Sequence, residues 1–153
     1  MKLLDFLQQD AIVPELSAKD KAGVLQELAQ VLVANGTVAS GQAAVQVLKE
    51  REKLGSTGIG EGIAIPHGKL KELAQVVAVF GRSVRGVEFD SMDGAPVHLF
   101  FLLLAPENSA STHLKALARI SRLLKDRLFR EELLQGASRD DLFEIIARED
   151  EKY

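Results

Sequence analysis

The run Val97-His98-Leu99-Phe100-Phe101-Leu102-Leu103-Leu104-Ala105 constrains the fold of this chain more than any other segment, because a single imidazole interrupts its apolar character. It is far too short for the roughly 20 residues that cross a bilayer, and a short apolar run bounded by turn residues reads as a buried strand. Ser91-Met92-Asp93-Gly94-Ala95-Pro96 supplies turn chemistry ahead of it, and Pro106 ends it. Either side of the run, the pattern changes period. Ser17 with Asp20 predicts an N-cap followed by an acid in the first turn, and Val24, Leu25, Leu28, Val31 and Leu32 recur at helical spacing until Asn35-Gly36. A second helix is expected from Ser40 to near Gly55, with Ala44, Val45, Val47 and Leu48 turned inward. Short strands are predicted at Ile63 to Ile65 and at Val76 to Phe80, the latter closed by Gly81. Three helices follow the long strand. The first is capped by Ser111 or Thr112, the second runs from Asp126 to Leu134 before Gly136, and the third is capped by Ser138 with Asp141. Helices first, strands in the middle and helices last predict a layered α/β domain with a mixed sheet.

A chain of 153 residues fits one domain with a proper core. Its 46% hydrophobic and 27% charged residues describe a globular protein and not a disordered one. A formal net charge of −3, with acid and base mixed along the chain, argues against nucleic acid as a partner. The absence of cysteine excludes disulfides and thiol chemistry. With no signal-peptide pattern after Lys2 and Asp5, a cytoplasmic location is expected.

Chemistry concentrates in residues 55 to 70, GSTGIGEGIAIPHGKL. Gly58, Gly60 and Gly62 lead into Ile63-Ala64-Ile65, and Pro66 leaves His67 at the end with Gly68 behind it. Such a loop and strand end present one imidazole in a defined place, and a neutral imidazole is nucleophilic near physiological pH. Two nucleotide motifs fail on detail. A P-loop requires G-x-x-x-x-G-K-[ST], whereas the Gly62 to Gly68 gap is one residue too long and Leu70 replaces the hydroxyl. A dinucleotide fingerprint requires a different last gap and a following helix. A metal site is not expected either: His67, His98, His113 and Glu61 show no close ligand spacing.

His113 lies just after Ser111-Thr112, at the predicted first turn of a helix, where free N–H groups and the helix dipole favour an anion. An imidazole there can donate to a phosphate oxygen; position alone serves equally a solvent-exposed helix histidine. Arg51 ends the second predicted helix, and a guanidinium can neutralise phosphate bidentately. Taken alone, it reads as a surface arginine among Lys49, Glu50, Glu52 and Lys53.

The string from Arg51 to Leu70, REKLGSTGIGEGIAIPHGKL, resembles the active-site region of the fructose/mannitol-type enzyme IIA domains of the bacterial phosphotransferase system. The stretches Gly86 to Asp90, Asp93 to Pro106 and His113 to Ile120 are similar too, so the likeness covers nearly the whole chain, residues 3 to 150, as one domain. The L-G-S-T-G opening is most like the nitrogen-regulatory branch. The resemblance implies a three-layer α/β/α sandwich around a mixed sheet. It implies that His67 is phosphorylated by a histidine phosphocarrier of the HPr type, that His113 contacts the phosphoryl group, and that Arg51 and Glu61 flank the site. Glu61 is left three roles: orienting a histidine, orienting an arginine, or repelling phosphate so that it stays transferable. The expected output is a regulatory signal read by target proteins, or, as the alternative, transfer to a separate IIB acceptor in sugar uptake. No cofactor, metal or nucleotide is expected, because the donor is itself a high-energy phosphohistidine.

Overall fold

The computed structural model describes residues 1–153. A 3-10 turn at Leu3–Asp5 precedes β1 (Leu7–Val13), α1 (Lys21–Ala34) and α2 (Gly41–Lys53). Three very short strands follow: β2 (Gly58–Gly60), β3 (Ile63–Ala64) and β4 (His67–Lys69). Then come β5 (Val77–Val87), β6 (Val97–Ala105), α3 (Ala110–Leu124), α4 (Arg127–Gln135) and α5 (Arg139–Glu151). No helix is long and apolar enough to cross a membrane.

The strands form one six-stranded sheet in the order β1-β5-β6-β3-β2, with β4 also paired to β6. β5 and β6 are antiparallel, whereas β1 runs parallel to β5, and β3 and β4 run parallel to β6. The sheet is therefore mixed. Its axis is β6, where every residue except His98 is buried. Full burial of a single leucine or phenylalanine is worth about 1.5–3 kcal/mol, so this strand anchors the core. Phe80 of β5 and Phe101 of β6 pack as tilted rings with centroids 4.9 Å apart, and Phe89 meets Phe100 at 5.4 Å.

Adjacent residues of β5 show the two covering layers, because successive strand side chains point to opposite faces. A Cβ on Gly81 would lie 2.7 Å from Leu28 of α1. Arg82, the next residue, sends its guanidinium to the carbonyls of Leu133 and Gly136 at the end of α4. Helices α1 and α2 thus cover one face and α3, α4 and α5 the other, as a three-layer sandwich requires.

Several boundaries differ from the sequence reading. Strand β1 was not anticipated: its three polar residues Gln8, Gln9 and Asp10 are exposed at a sheet edge and break the apolar alternation. The N-cap of α1 is Asp20, whose carboxylate accepts from the Gly23 amide at 2.8 Å, and not Ser17, whose own amide donates to Glu27. Gly81 does not close its strand; β5 continues to Val87, and the missing Cβ makes room for α1. Ser111 and Thr112 are already helical, since α3 starts at Ala110 after Ser109, whose hydroxyl is donated to the Pro106 carbonyl. Ser40, Asp126 and Ser138 cap α2, α4 and α5.

Candidate active site

His67 opens β4, directly after Pro66, and pairs with Leu103 of β6. The helix above it is brought close by its neighbour. A Cβ on Gly68 would stand 3.2 Å from Val47 of α2, so glycine lets this helix settle onto β4. Val47 and Arg51 are four residues apart, hence on one helix face, and seating the first on Gly68 delivers the second to His67. The Arg51 Nε–H donates to His67 Nε2 at 3.2 Å, while Nη1 donates to the Gly55 carbonyl at 3.0 Å. On the opposite ring edge, His67 Nδ1 lies 2.8 Å from the Ile65 carbonyl, which can only accept. Nδ1 therefore carries the hydrogen, and Nε2 presents its lone pair toward the guanidinium.

Burial is the main cause that lowers the His67 pKa from its ordinary value; the Ile65 carbonyl opposes it, Arg51 reinforces it and Glu52 opposes it. The ring is thereby kept neutral at physiological pH. His113, on α3, is buried, and its ring centroid is 5.5 Å from that of His67 at an interplanar angle of 70°. Its pKa is also lowered, first by burial and then by His67 and Lys69. The Nε2 atom of His113 is buried without a hydrogen-bond partner. Such an atom costs stability unless something occupies its bonding direction. His113 is not at a free amide, as its position in the sequence implied: its N–H already donates to the Ser109 carbonyl at 2.9 Å. What it brings to the site is its ring.

Glu61 is held elsewhere. It sits between Gly60 and Gly62 with φ +59°, its amide donating to Asp93 Oδ2 at 3.2 Å. Its carboxylate is mostly exposed and meets Arg130 of α4 at 3.5 Å. No hydrogen bond or ion pair joins it to His67, His113 or Arg51, so three of the four expected residues converge and the fourth stands on a neighbouring loop. A charge that sequence reading did not single out, Glu52, lies next to Arg51 and is withdrawn from water. Its side chain is only 7% exposed, bonds Lys21 at 2.8 Å, and accepts from the amide and hydroxyl of Thr57. Nothing in the local pattern distinguishes it from a solvated helix charge. No three residues among His, Cys, Asp and Glu gather as a metal would require.

A neutral imidazole with an outward lone pair, a guanidinium on that lone pair and a second imidazole with an unsatisfied nitrogen have the chemistry that nucleophilic attack and anion binding require. Comparisons with known proteins give the chain its relatives. Residues 5–149 match the family model for the phosphoenolpyruvate-dependent sugar phosphotransferase system, EIIA 2. A nitrogen regulatory protein from Bradyrhizobium diazoefficiens is 44% identical over 147 residues, which cover 96% of this chain and 95% of that protein. The fructose-specific EIIABC component from Bacillus subtilis is 40% identical over 150 residues, 98% of this chain but 24% of that longer protein. Among solved structures, the nitrogen regulatory protein IIA-Ntr from Neisseria meningitidis superimposes with a TM-score of 0.85 at 34% identity, covering 93% of this chain and 97% of that one.

Proposed function

This chain belongs to the EIIA 2 family of the phosphoenolpyruvate-dependent sugar phosphotransferase system, and from that premise we propose that it accepts a phosphoryl group on Nε2 of His67 from an HPr-type histidine phosphocarrier. The observation that carries this reading is the pair of bonds on one ring: Nδ1–H to the Ile65 carbonyl and Nε2 to Arg51. A fixed tautomer leaves one nitrogen able to attack.

The Nε2 lone pair forms the new P–N bond in line with the bond that breaks, and the departing pair returns to the donor's ring nitrogen. No proton need move, since Nδ1 keeps its hydrogen throughout. The His67 ring gains positive charge as the bond forms, and the Ile65 carbonyl, already 2.8 Å away, stabilises it. The Arg51 Nε–H turns from the ring nitrogen to a phosphoryl oxygen, exchanging one hydrogen bond for a stronger charge-assisted one. His113 Nε2, unpartnered in the unphosphorylated protein, donates to a second oxygen. Catalysis is then positioning plus electrostatic stabilisation, which is what phosphoryl transfer demands. Glu61 stays at the rim, paired with Arg130, and makes no hydrogen bond or ion pair to the His67 ring.

The output we favour is regulatory: the added charge of about −1.5 to −2 changes what the surface around His67 can bind. The extent of the likeness to nitrogen regulatory proteins, nearly end to end in both chains, supports it. The second reading, a sugar-specific IIA that passes phosphate to a separate IIB, is supported by the likeness to the fructose-specific component. The experiment is incubation with labelled phosphoenolpyruvate and the general phosphotransferase proteins. Acid-labile label should enter the wild type and be absent from His67→Ala; label that persists on the variant rejects the role of His67. Adding a IIB protein then separates the two outputs: discharge to IIB favours sugar uptake, and retention favours signalling.

A further inference from the structure

We propose that Glu52, Thr57 and Lys21 are positioning residues that hold the His67 ring ready for transfer, by anchoring its Nδ1 edge to the same helix end that supplies Arg51 to its Nε2 edge. The proposal rests on the reading of His67 as the phosphoryl acceptor.

Two consecutive residues at the end of α2 part company. Arg51 turns to the imidazole, and Glu52 turns about 100° away around the helix into a buried pocket of partners. There its carboxylate accepts from the Thr57 amide at 3.1 Å and from the Thr57 hydroxyl, and meets Lys21 Nζ at 2.8 Å. Thr57 is itself buried, and its carbonyl accepts from the Ile65 amide at 3.1 Å. The Ile65 carbonyl in turn accepts from His67 Nδ1 at 2.8 Å. A continuous line of bonds thus leads from Glu52 through Thr57 and Ile65 to one edge of the ring, while Arg51 bonds the other edge. Between the two arms the loop is closed by Arg51 Nη1 on the Gly55 carbonyl and by the Gly55 amide on the Glu52 carbonyl. Any movement of the helix end carries both anchors together, so the ring keeps its orientation relative to the guanidinium.

Lys21 makes this possible electrically. A carboxylate withdrawn from water needs a partner charge, and Lys21 supplies one from α1, lying also 4.7 Å over the Phe89 ring and 3.7 Å from Asp90. A buried ion pair is weak evidence for stability by itself, because an apolar pair of similar volume often does as well. Fixing a geometry is a better reason for building one here. The Glu52 carboxylate also opposes the effect of Arg51 on the ring's proton affinity.

The test reads the ring before any phosphate is present. In the 15N-labelled, unphosphorylated full-length chain, two-bond proton–nitrogen spectra report the tautomer of each histidine. The wild type should show His67 with its hydrogen on Nδ1 alone. Glu52→Ala should place His67 in a mixture of tautomers and slow phosphorylation by the carrier about ten-fold, since small misplacements are costly in transfer geometry. His98, fixed by the Ser83 carbonyl, serves as the internal control and should not change. Thr57→Val should show a smaller effect of the same kind, and Thr57→Ser should restore the single tautomer and the rate. Glu52→Gln covers the case in which Glu52→Ala does not fold: it keeps an acceptor for the Thr57 amide, holds one tautomer, and lowers the His67 pKa further because an anion is lost. A set of variants that melt lower yet retain the Nδ1–H tautomer and the wild-type rate would overturn the proposal, leaving the three residues a purely structural role. Because the tautomer is read without phosphate, the positioning role is decided even if the phosphoryl group proves to reside on another residue.

Discussion

Two imidazoles lie at the two ends of β6, and comparing them shows what the proposed phosphoryl acceptor has that the other lacks. His98 stands near the start of β6, and His67 pairs with Leu103 near its end. Both rings are partly buried, and both place Nδ1 against a backbone carbonyl, Ser83 at 2.9 Å and Ile65 at 2.8 Å. A settled tautomer is therefore common to the two and does not distinguish them. The difference lies on the other edge. At His98 that edge abuts Gly86, where an added Cβ would sit 3.2 Å from Nε2. The arginines lining the same small cavity are already committed, Arg127 to Glu131 and Arg130 to Glu61 and the Leu124 carbonyl. At His67 the Nε2 edge meets Arg51, whose Nη2 makes no hydrogen bond, and the unsatisfied nitrogen of His113 is close by. In the proposed mechanism, what sets His67 apart is the uncommitted donors beside its lone pair.

The contrast breaks most simply by deleting each ring. His67→Ala should lose all acid-labile label, whereas His98→Gln should be labelled like the wild type; loss of label in the second variant alone would reverse the assignment. Next in size is the guanidinium. Arg51→Lys removes the planar fork and should slow phosphorylation by about 100-fold, as loss of one preorganised donor commonly does. Arg130→Lys, at the His98 end, should leave the rate nearly unchanged in the same labelling assay. Equal losses in both variants would show that the contrast between committed and uncommitted guanidinium donors is mistaken.

His113→Ala should slow both arrival and departure of the phosphoryl group by about ten-fold, or ~1.4 kcal/mol in each barrier. Rapid-quench measurement in the two directions checks it, and an effect on one direction alone would mean that His113 serves docking of one partner instead. The smallest effect is on stability. Burial, first among the causes, depresses the pKa of both His67 and His113 in the folded chain. Below the unfolded value of about 6.5 the unfolded chain then binds protons that the fold declines, so unfolding becomes easier as pH falls. Urea titrations from pH 8 to pH 5 should show this loss beginning near that value and levelling off below the folded pKa. A His67→Gln/His113→Gln double variant should show less of it, and a wild-type stability that rises on acidification through this range would contradict the shifts.

How much of this was legible beforehand depended on whether a residue's partners were local. The helix starts at Ser40, Asp126 and Ser138 rest on side chains that bond amides two or three residues on, and β6 advertises burial in an apolar run that only His98 interrupts. His67, His113 and Arg51 are singled out by the glycine lead-in and the family resemblance, which stand in for contacts that sequence cannot show. Glu52 escaped because its partners Thr57 and Lys21 come from other segments, and among the charges of Arg51 to Lys53 it looks solvated. Gly81 was misread for a related reason: its neighbour in space is Leu28 of α1, so a residue that admits a helix resembled one that ends a strand. Strand β1, at the sheet edge, carries too few apolar residues to show the period of two on which strand recognition depends.

The phosphorylated, 15N-labelled chain puts the proposal to its most direct test, because phosphorus–nitrogen coupling identifies the atom that carries the group. The expected result is a phosphoryl group on Nε2 of His67, with Nδ1 still protonated against the Ile65 carbonyl. A group found on Nδ1 of His67, or on His98 or His113, would contradict the reading of the tautomer on which the mechanism stands.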